Sequence, residues 1–208
     1  MRKKGFTLAE TLIVITIIGV LAAIMIPSLK GGVIDKRKVM FKKAYRLTDL
    51  IVKDLINNQE MYPYDPKRPG FKNTDFVRLA GEDTTYGGTS ENAKKNKFAK
   101  LFERKIDTVE TEYEKYGFKW FTASDGISYA VERTDFDTNT EATVFVNTDG
   151  INKGYDCVND SINTNIPKCA NAEKQQDIFR LFVNYDGTVK PADNVAREML
   201  TSYEASKQ

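Results

Sequence analysis

The sequence contains no histidine, and that absence removes His-dependent triads, HExxH zinc sites and imidazole acid–base chemistry together. Cysteine is nearly absent too. Its two copies, Cys157 and Cys169, are too few for a four-cysteine zinc site and are not spaced as a CxxC redox pair, so a disulfide in an oxidising compartment fits them better. Charge imbalance is also missing: the net charge is +2. Its distribution is uneven, because residues 1–58 hold 11 Lys/Arg against 4 Asp/Glu, whereas residues 59–208 hold 20 against 25. The body therefore lacks the basic footprint that non-specific nucleic-acid binding requires, which argues against a nucleic-acid partner. A mean hydropathy of −0.46 confines any membrane association to one local segment. A chain of 208 residues suits one globular domain plus an appendage.

That segment is at the N-terminus. Residues 1–27 read MRKKGFTLAETLIVITIIGVLAAIMIP, a short basic leader followed by an apolar run from Phe6 to Ile26. As a helix, the run spans roughly 31 Å, about one hydrocarbon thickness. An ordinary secretory signal has a shorter apolar core ending in a small-residue cleavage site, and Ala22-Ala23-Ile24-Met25-Ile26-Pro27-Ser28 is a poor one. Glu10 stands inside the run, where a charge costs about 2.5–3.5 kcal/mol at the centre of a span. A passive anchor has no use for that cost, and no basic residue within the run offers compensation. If the chain is cut between Gly5 and Phe6, a new α-amine appears one helical turn from Glu10. In a packed bundle that amine meets the Glu10 of a neighbouring copy, and assembly satisfies both charges.

Lys-Gly-Phe-Thr-Leu-Ala-Glu ahead of an apolar helix resembles the prepilin signal of type IV pilins and type II secretion pseudopilins, over about 30 residues. The resemblance implies cleavage after Gly5 by a prepilin peptidase, N-methylation of Phe6 and a filament-packing role for Glu10. Gly19 and Pro27 stand where helix-loosening residues occur in the family. It also implies a filament of this chain and other pilins, an inner-membrane assembly platform and an assembly ATPase. The expected location is the inner membrane, single-pass through residues 6–26, and then a surface or periplasmic filament. Seven basic residues between Lys30 and Arg46 outnumber the three of the leader, opposite to the positive-inside expectation. Placement of the body outside the membrane thus rests on the resemblance.

From Ser28 to about Asn58 the apolar residues Val33, Ile34, Phe41, Ala44, Tyr45, Ile51, Val52 and Leu55 recur at helical spacing, predicting an amphipathic continuation of the span. Pro27 and Gly31-Gly32 weaken the helix near the membrane boundary. Residues 61–92 carry turn signals and read as a connecting region with a short helix at Thr74–Leu79. Glu91 to about Glu114 reads as helix, with Phe98, Leu101, Phe102, Ile106 and Val109 as its core stripe. Strands follow at Phe118–Ala123, Ile127–Glu132, Ala142–Asn147, Ile178–Tyr185 and Thr188–Lys190. Three Asp-Gly turns, at Asp125, Asp149 and Asp186, predict an antiparallel meander, and Ala192 to about Ala205 a terminal helix with Val195, Met199 and Leu200 facing in. The expected organisation is a leader at 1–5, an apolar helix at 6–27, its amphipathic continuation at 28–58 and an α+β head at 59–208, the arrangement that the resemblance implies.

Cys157 and Cys169 enclose eleven residues rich in Asn, Asp, Ser and Thr, a segment that burial cannot hold; a bridge there contributes roughly 3 kcal/mol in the chain-entropy model. Pilins resemble this in having an exposed, disulfide-bounded C-terminal region. Asp149, Asn152 and Asp156 are hard oxygen donors of the kind calcium prefers, and some major pseudopilins hold calcium in this region. They are equally the plain residues of turns, so no metal and no cofactor is assigned. No arrangement of carboxylates or nucleophiles picks out an enzyme. The expected role is that of a structural filament subunit, with a low-copy tip adhesin or substrate-binding module as the alternative. Glu10→Ala should leave cleavage intact and impair assembly, read as a mature-sized product in membranes with a loss of sheared filaments.

Overall fold

The computed structural model describes residues 8–30, 36–136, 141–159 and 165–201. They fall into two compact units, Met1–Asp35 and Lys36–Gln208.

In the first unit, helix α1 spans Leu8–Lys30. Leu8, Leu12, Ile13, Val14, Ile15, Ile17, Ile18 and Val20 are all exposed, so apolar side chains project from every side of the helix, as on a helix that buries itself in lipid or among other helices. The hydroxyls inside this stretch are satisfied within it: Thr11 donates to the Leu8 carbonyl at 2.9 Å, and Thr16 to those of Ile13 and Leu12 at 2.8 and 3.1 Å. The helix continues through Gly19 and Pro27. Gly31–Asp35, and with them the predicted junction to the next helix and the inward positions of Val33 and Ile34, lie outside the described residues. Among the described residues no helix is long and apolar enough to cross a membrane.

The second unit begins with α2, Lys36–Asn57. Phe41, Ala44, Ile51, Val52 and Leu55 are buried at the spacing read from the sequence, and each larger one contributes roughly 1.5–3 kcal/mol by leaving water. After α2 come a short hairpin, β1 (Val77–Arg78) with β2 (Thr85–Tyr86), and helix α3, Glu91–Arg104, capped by Ser90. The strands are β3 (Thr108–Lys115), β4 (Phe118–Ala123), β5 (Ser128–Val131), β6 (Glu141–Asn147), β7 (Ile178–Asn184) and β8 (Val189–Pro191). They form one antiparallel meander in sequence order. One-turn α4, Ala172–Gln175, precedes β7, and α5, Asn194–Thr201, closes the described chain with Asp193 accepting the Ala196 amide as its cap. Met199 of α5 is buried, with Val195 and Leu200 packed against the core.

Two of the three Asp-Gly turns behave as read; the third, Asp149-Gly150, opens the long loop between β6 and β7 instead of a hairpin. Asp125 and Asp186 accept the amides of Ile127 and Thr188 at 3.0 and 2.9 Å, while Gly126 and Gly187 take φ of +85° and +83°, which an L side chain resists. Strand alternation then sorts the side chains. Phe121, Tyr129, Val144, Val146, Phe179, Leu181 and Val183 form the main core with α2, α3 and α5. Trp120, Ala130, Phe145 and Ile178 face the other way, into a second cluster completed by Val158 and Ile166.

Two expectations are corrected. The helix predicted to run to Glu114 stops at Arg104, because Thr108–Lys115 alternates β-branched and polar residues and pairs with β4 through the two-residue turn Tyr116-Gly117, both at positive φ. Val109, expected in the helical core stripe, is 64% exposed on the new strand. Thr74–Leu79, predicted as a short helix, supplies β1 instead.

The segment read as a connection is packed in place. Fully buried Phe71 lies 4.8 Å from the Tyr62 ring, 5.0 Å from Phe98 and 5.4 Å from Phe136. Lys97 of α3, 1% exposed, donates to the carbonyls of Asn73 and Asp75 at 3.0 and 2.9 Å and sits 4.3 Å from the Tyr62 ring centre. Burial lowers its pKa from the ordinary 10.5 to about 8. The unfolded chain then holds more protons than the folded one between those values, so this group makes stability rise with pH from about 8 to 10.5. Denaturant titrations across that range should show the rise, up to roughly 3 kcal/mol, in the native chain relative to Lys97→Met.

Candidate functional site

Of the residues singled out at the N-terminus, Gly5 and Phe6 lie outside the described residues. Glu10 and Pro27 lie in α1, with their side chains outside the described set, and a Cβ added at Gly19 would meet nothing within 4 Å.

The second region named from the sequence is a structured loop over the outer face of the sheet. Cys157 and Cys169 are disulfide-bonded with their Cα atoms 5.1 Å apart. Around them the backbone is knitted: Val158 donates to Pro167, Cys169 to Val158 and Ile178 to Cys157, at 2.9 to 3.2 Å. Val158 and Ile166 carry this loop into the cluster around Trp120, whose indole donates to the Lys115 carbonyl at 3.1 Å.

Its organiser is a residue the sequence reading did not single out as a site. Asp177, buried at the start of β7, accepts the amides of Tyr155 and Asp156 on one oxygen at 2.6 and 2.9 Å and that of Cys157 on the other at 2.9 Å. Three successive amides aimed at one carboxylate form an anion nest. Burial nevertheless pushes its pKa up against those bonds. Gly154, at φ +61°, lets the chain pass between two acids: a Cβ there would come within 2.4 Å of Asp149 and 2.6 Å of Asp177. Burial and then the Asp177 charge raise the pKa of Asp149, and its Oδ1 is buried with no hydrogen-bond partner.

The three oxygen donors read as possible calcium ligands do not converge on an open centre. Lys115, at the end of β3, donates to Asn152 Oδ1 at 2.7 Å and Asp156 Oδ2 at 2.5 Å. Asp156 Oδ1 takes the Asn147 amide at 2.6 Å, and its Oδ2 also takes the Asn152 amide at 2.9 Å. Among the described residues no group of three or more His, Cys, Asp or Glu is placed to hold a metal, and this donor set does not fit one. The groove alongside, about 600 Å³, is lined among the described residues by Val109, Tyr113, Trp120, Thr122 and residues 150–153. The arrangement fixes a loop and offers no acid–base pair.

Asp177 sits twenty residues and more from the amides it holds, so no local pattern announces it. Its one sequence sign is an acid immediately before the apolar strand Ile178-Phe179.

The chain is similar to known proteins over part of its length. The family described as the prokaryotic N-terminal methylation motif matches residues 1–26. The chain is 39% identical over 67 residues to the type II secretion system core protein G of Aeromonas hydrophila, covering 32% of this chain and 42% of that protein. The same protein of Dickeya chrysanthemi is also 39% identical over 67 residues, 32% of this chain and 39% of the relative. The match thus spans well under half the length of these relatives. No solved structure matches.

Because Asp149 is neutralised more readily when folded, it makes the folded state gain relative to the unfolded as pH falls from neutral toward the ordinary carboxylate value of 3.8. Asp149→Asn should be more stable than the native chain at neutral pH, by on the order of 1 kcal/mol. The advantage should shrink as pH falls, in paired chemical denaturation curves.

Proposed function

From its N-terminal methylation motif and its partial similarity to type II secretion system core protein G, we propose that the chain belongs with the type IV pilins and type II secretion pseudopilins, and that it is a structural subunit of a pseudopilus-type filament and not an enzyme. The observation that carries this reading is the leader itself, Lys4-Gly5-Phe6 followed by an apolar helix with Glu10 in its first turns. The type II secretion system for which these relatives are named favours a pseudopilus over a surface pilus.

In this reading a prepilin peptidase cuts between Gly5 and Phe6, and Phe6 is N-methylated. Residues 6–26 hold the subunit in the inner membrane until a platform protein and an ATPase drive it into the filament. The physical logic is that of a buried charge awaiting its partner. Glu10 in hydrocarbon is costly alone, and the Phe6 amine of the adjoining subunit neutralises it only when the helices bundle. The apolar side chains on every side of α1 support the same account, because a helix with no polar face has neighbours or lipid all round. Lys36–Gln208 forms the outer part of the filament, held to shape by its own core and its disulfide.

Intact mass and N-terminal sequencing of the protein from membrane and sheared fractions test this. The expected product begins at methylated Phe6 and is confined to the membrane and periplasmic fractions. Abundance in the sheared surface fraction would make it a pilus subunit, and an N-terminus at Met1 or beyond Ala23 would overturn the reading.

A further inference from the structure

The geometry points to Lys115 as a resident cation: its ammonium occupies the oxygen-lined position in the loop at 150–157 where a divalent ion would otherwise be held, and so makes this loop independent of divalent metals. Besides the Tyr116 ring, 4.9 Å away, its oxygen contacts are Asn152 Oδ1 at 2.7 Å and Asp156 Oδ2 at 2.5 Å, the oxygen types that a hard cation takes. The pairing is sheltered, since the Asp156 side chain is only 8% exposed and that of Lys115 26%. Removal of one partner from such a pair leaves a buried charge uncompensated.

The remaining oxygens leave little for a metal. Asp156 already accepts from Lys115, the Asn147 side-chain amide and the Asn152 backbone. Asp177 already accepts three backbone amides. Among the described carboxylates of this loop Asp149 keeps a buried oxygen without a hydrogen-bond partner, and one carboxylate is not a coordination sphere. The ammonium also arrives from a different element: Lys115 ends β3, whereas Asn152 and Asp156 follow β6. Asn152 and Asp156 both sit at positive φ, +69° and +44°, a conformation that costs energy for side chains other than glycine. The lysine supplies a compensating bond to each of these two residues. Lys115 thus ties the edge of the sheet to the loop on one side of Cys157, as the disulfide ties it on the other.

The test uses the full chain in detergent micelles, with the thermal midpoint and amide exchange at 150–157 measured in EDTA and then in calcium chloride. A divalent site of micromolar affinity would raise the midpoint by several degrees at about 5 mM calcium. The expected result for the native chain is no shift and unchanged exchange. A calcium-dependent rise, or slower exchange in calcium, would overturn the inference without recourse to any variant. Lys115→Met keeps the chain length and removes the charge; its exchange at 150–157 should rise roughly tenfold or more while α2 and β7 stay protected. Unchanged exchange in that variant would equally overturn the inference.

Discussion

The structure turns on a sheet that is apolar on both faces. Along β4 to β7, residues of odd and even position are buried alike: Phe121 and Trp120, Tyr129 and Ala130, Phe145 and Val146, Ile178 and Phe179. A sheet of this kind has no stable solution with one side in water. Three helices cover one side, where Phe41 of α2 rests 4.5 Å from Phe179. Among the described residues of the second unit no further helix of comparable length covers the other, and a loop does the work of a layer. That is why the polar segment after β6 is held in place by a disulfide, a carboxylate nest and a lysine rather than by apolar mass, with Val158 and Ile166 as its only deep anchors among the described residues.

The same constraint explains which parts of the molecule were legible in the sequence. The meander was, because the Asp-Gly turns at Asp125 and Asp186 and period-two alternation are local signals, although Asp149-Gly150 opens a long loop and not a hairpin. So was the buried stripe of α2 from Phe41 to Leu55, and so was the bridge between the two cysteines. The segment after Arg104 was misread because Val109 also fits a helical stripe with Phe102 and Ile106, and the competing two-residue turn at Tyr116-Gly117 lies beyond the window where periodicity is judged. The packed connection around Phe71 was hidden for a different reason. Its anchors are single aromatics spaced by turns, and the lysine that fixes it, Lys97, belongs to another element and looks from the sequence like an ordinary surface charge. Asp177 and Lys115 share that property: each acts on residues it does not neighbour in the chain.

At the N-terminus the balance is reversed. There the order of residues says nearly everything, because a charge in an apolar run is informative without any tertiary context. The described side chains of α1 are exposed throughout and apolar except for Thr11 and Thr16, whose hydroxyls bond within the helix. The two units thus exhibit opposite designs: one folds by turning its apolar residues upon one another, and the other keeps them outward.

One edge of the sheet bears on how such a chain behaves at high local density. Among the described residues β3 pairs only with β4, and its register against that strand shifts twice, between Thr108 and Glu110 and between Glu110 and Tyr113. A strand bent by such irregularities makes a poor template for another strand. In the proposed filament, copies held side by side would therefore be discouraged from accreting sheet to sheet into amyloid-like stacks, which would leave growth to contacts that can be made and unmade without unfolding the sheet.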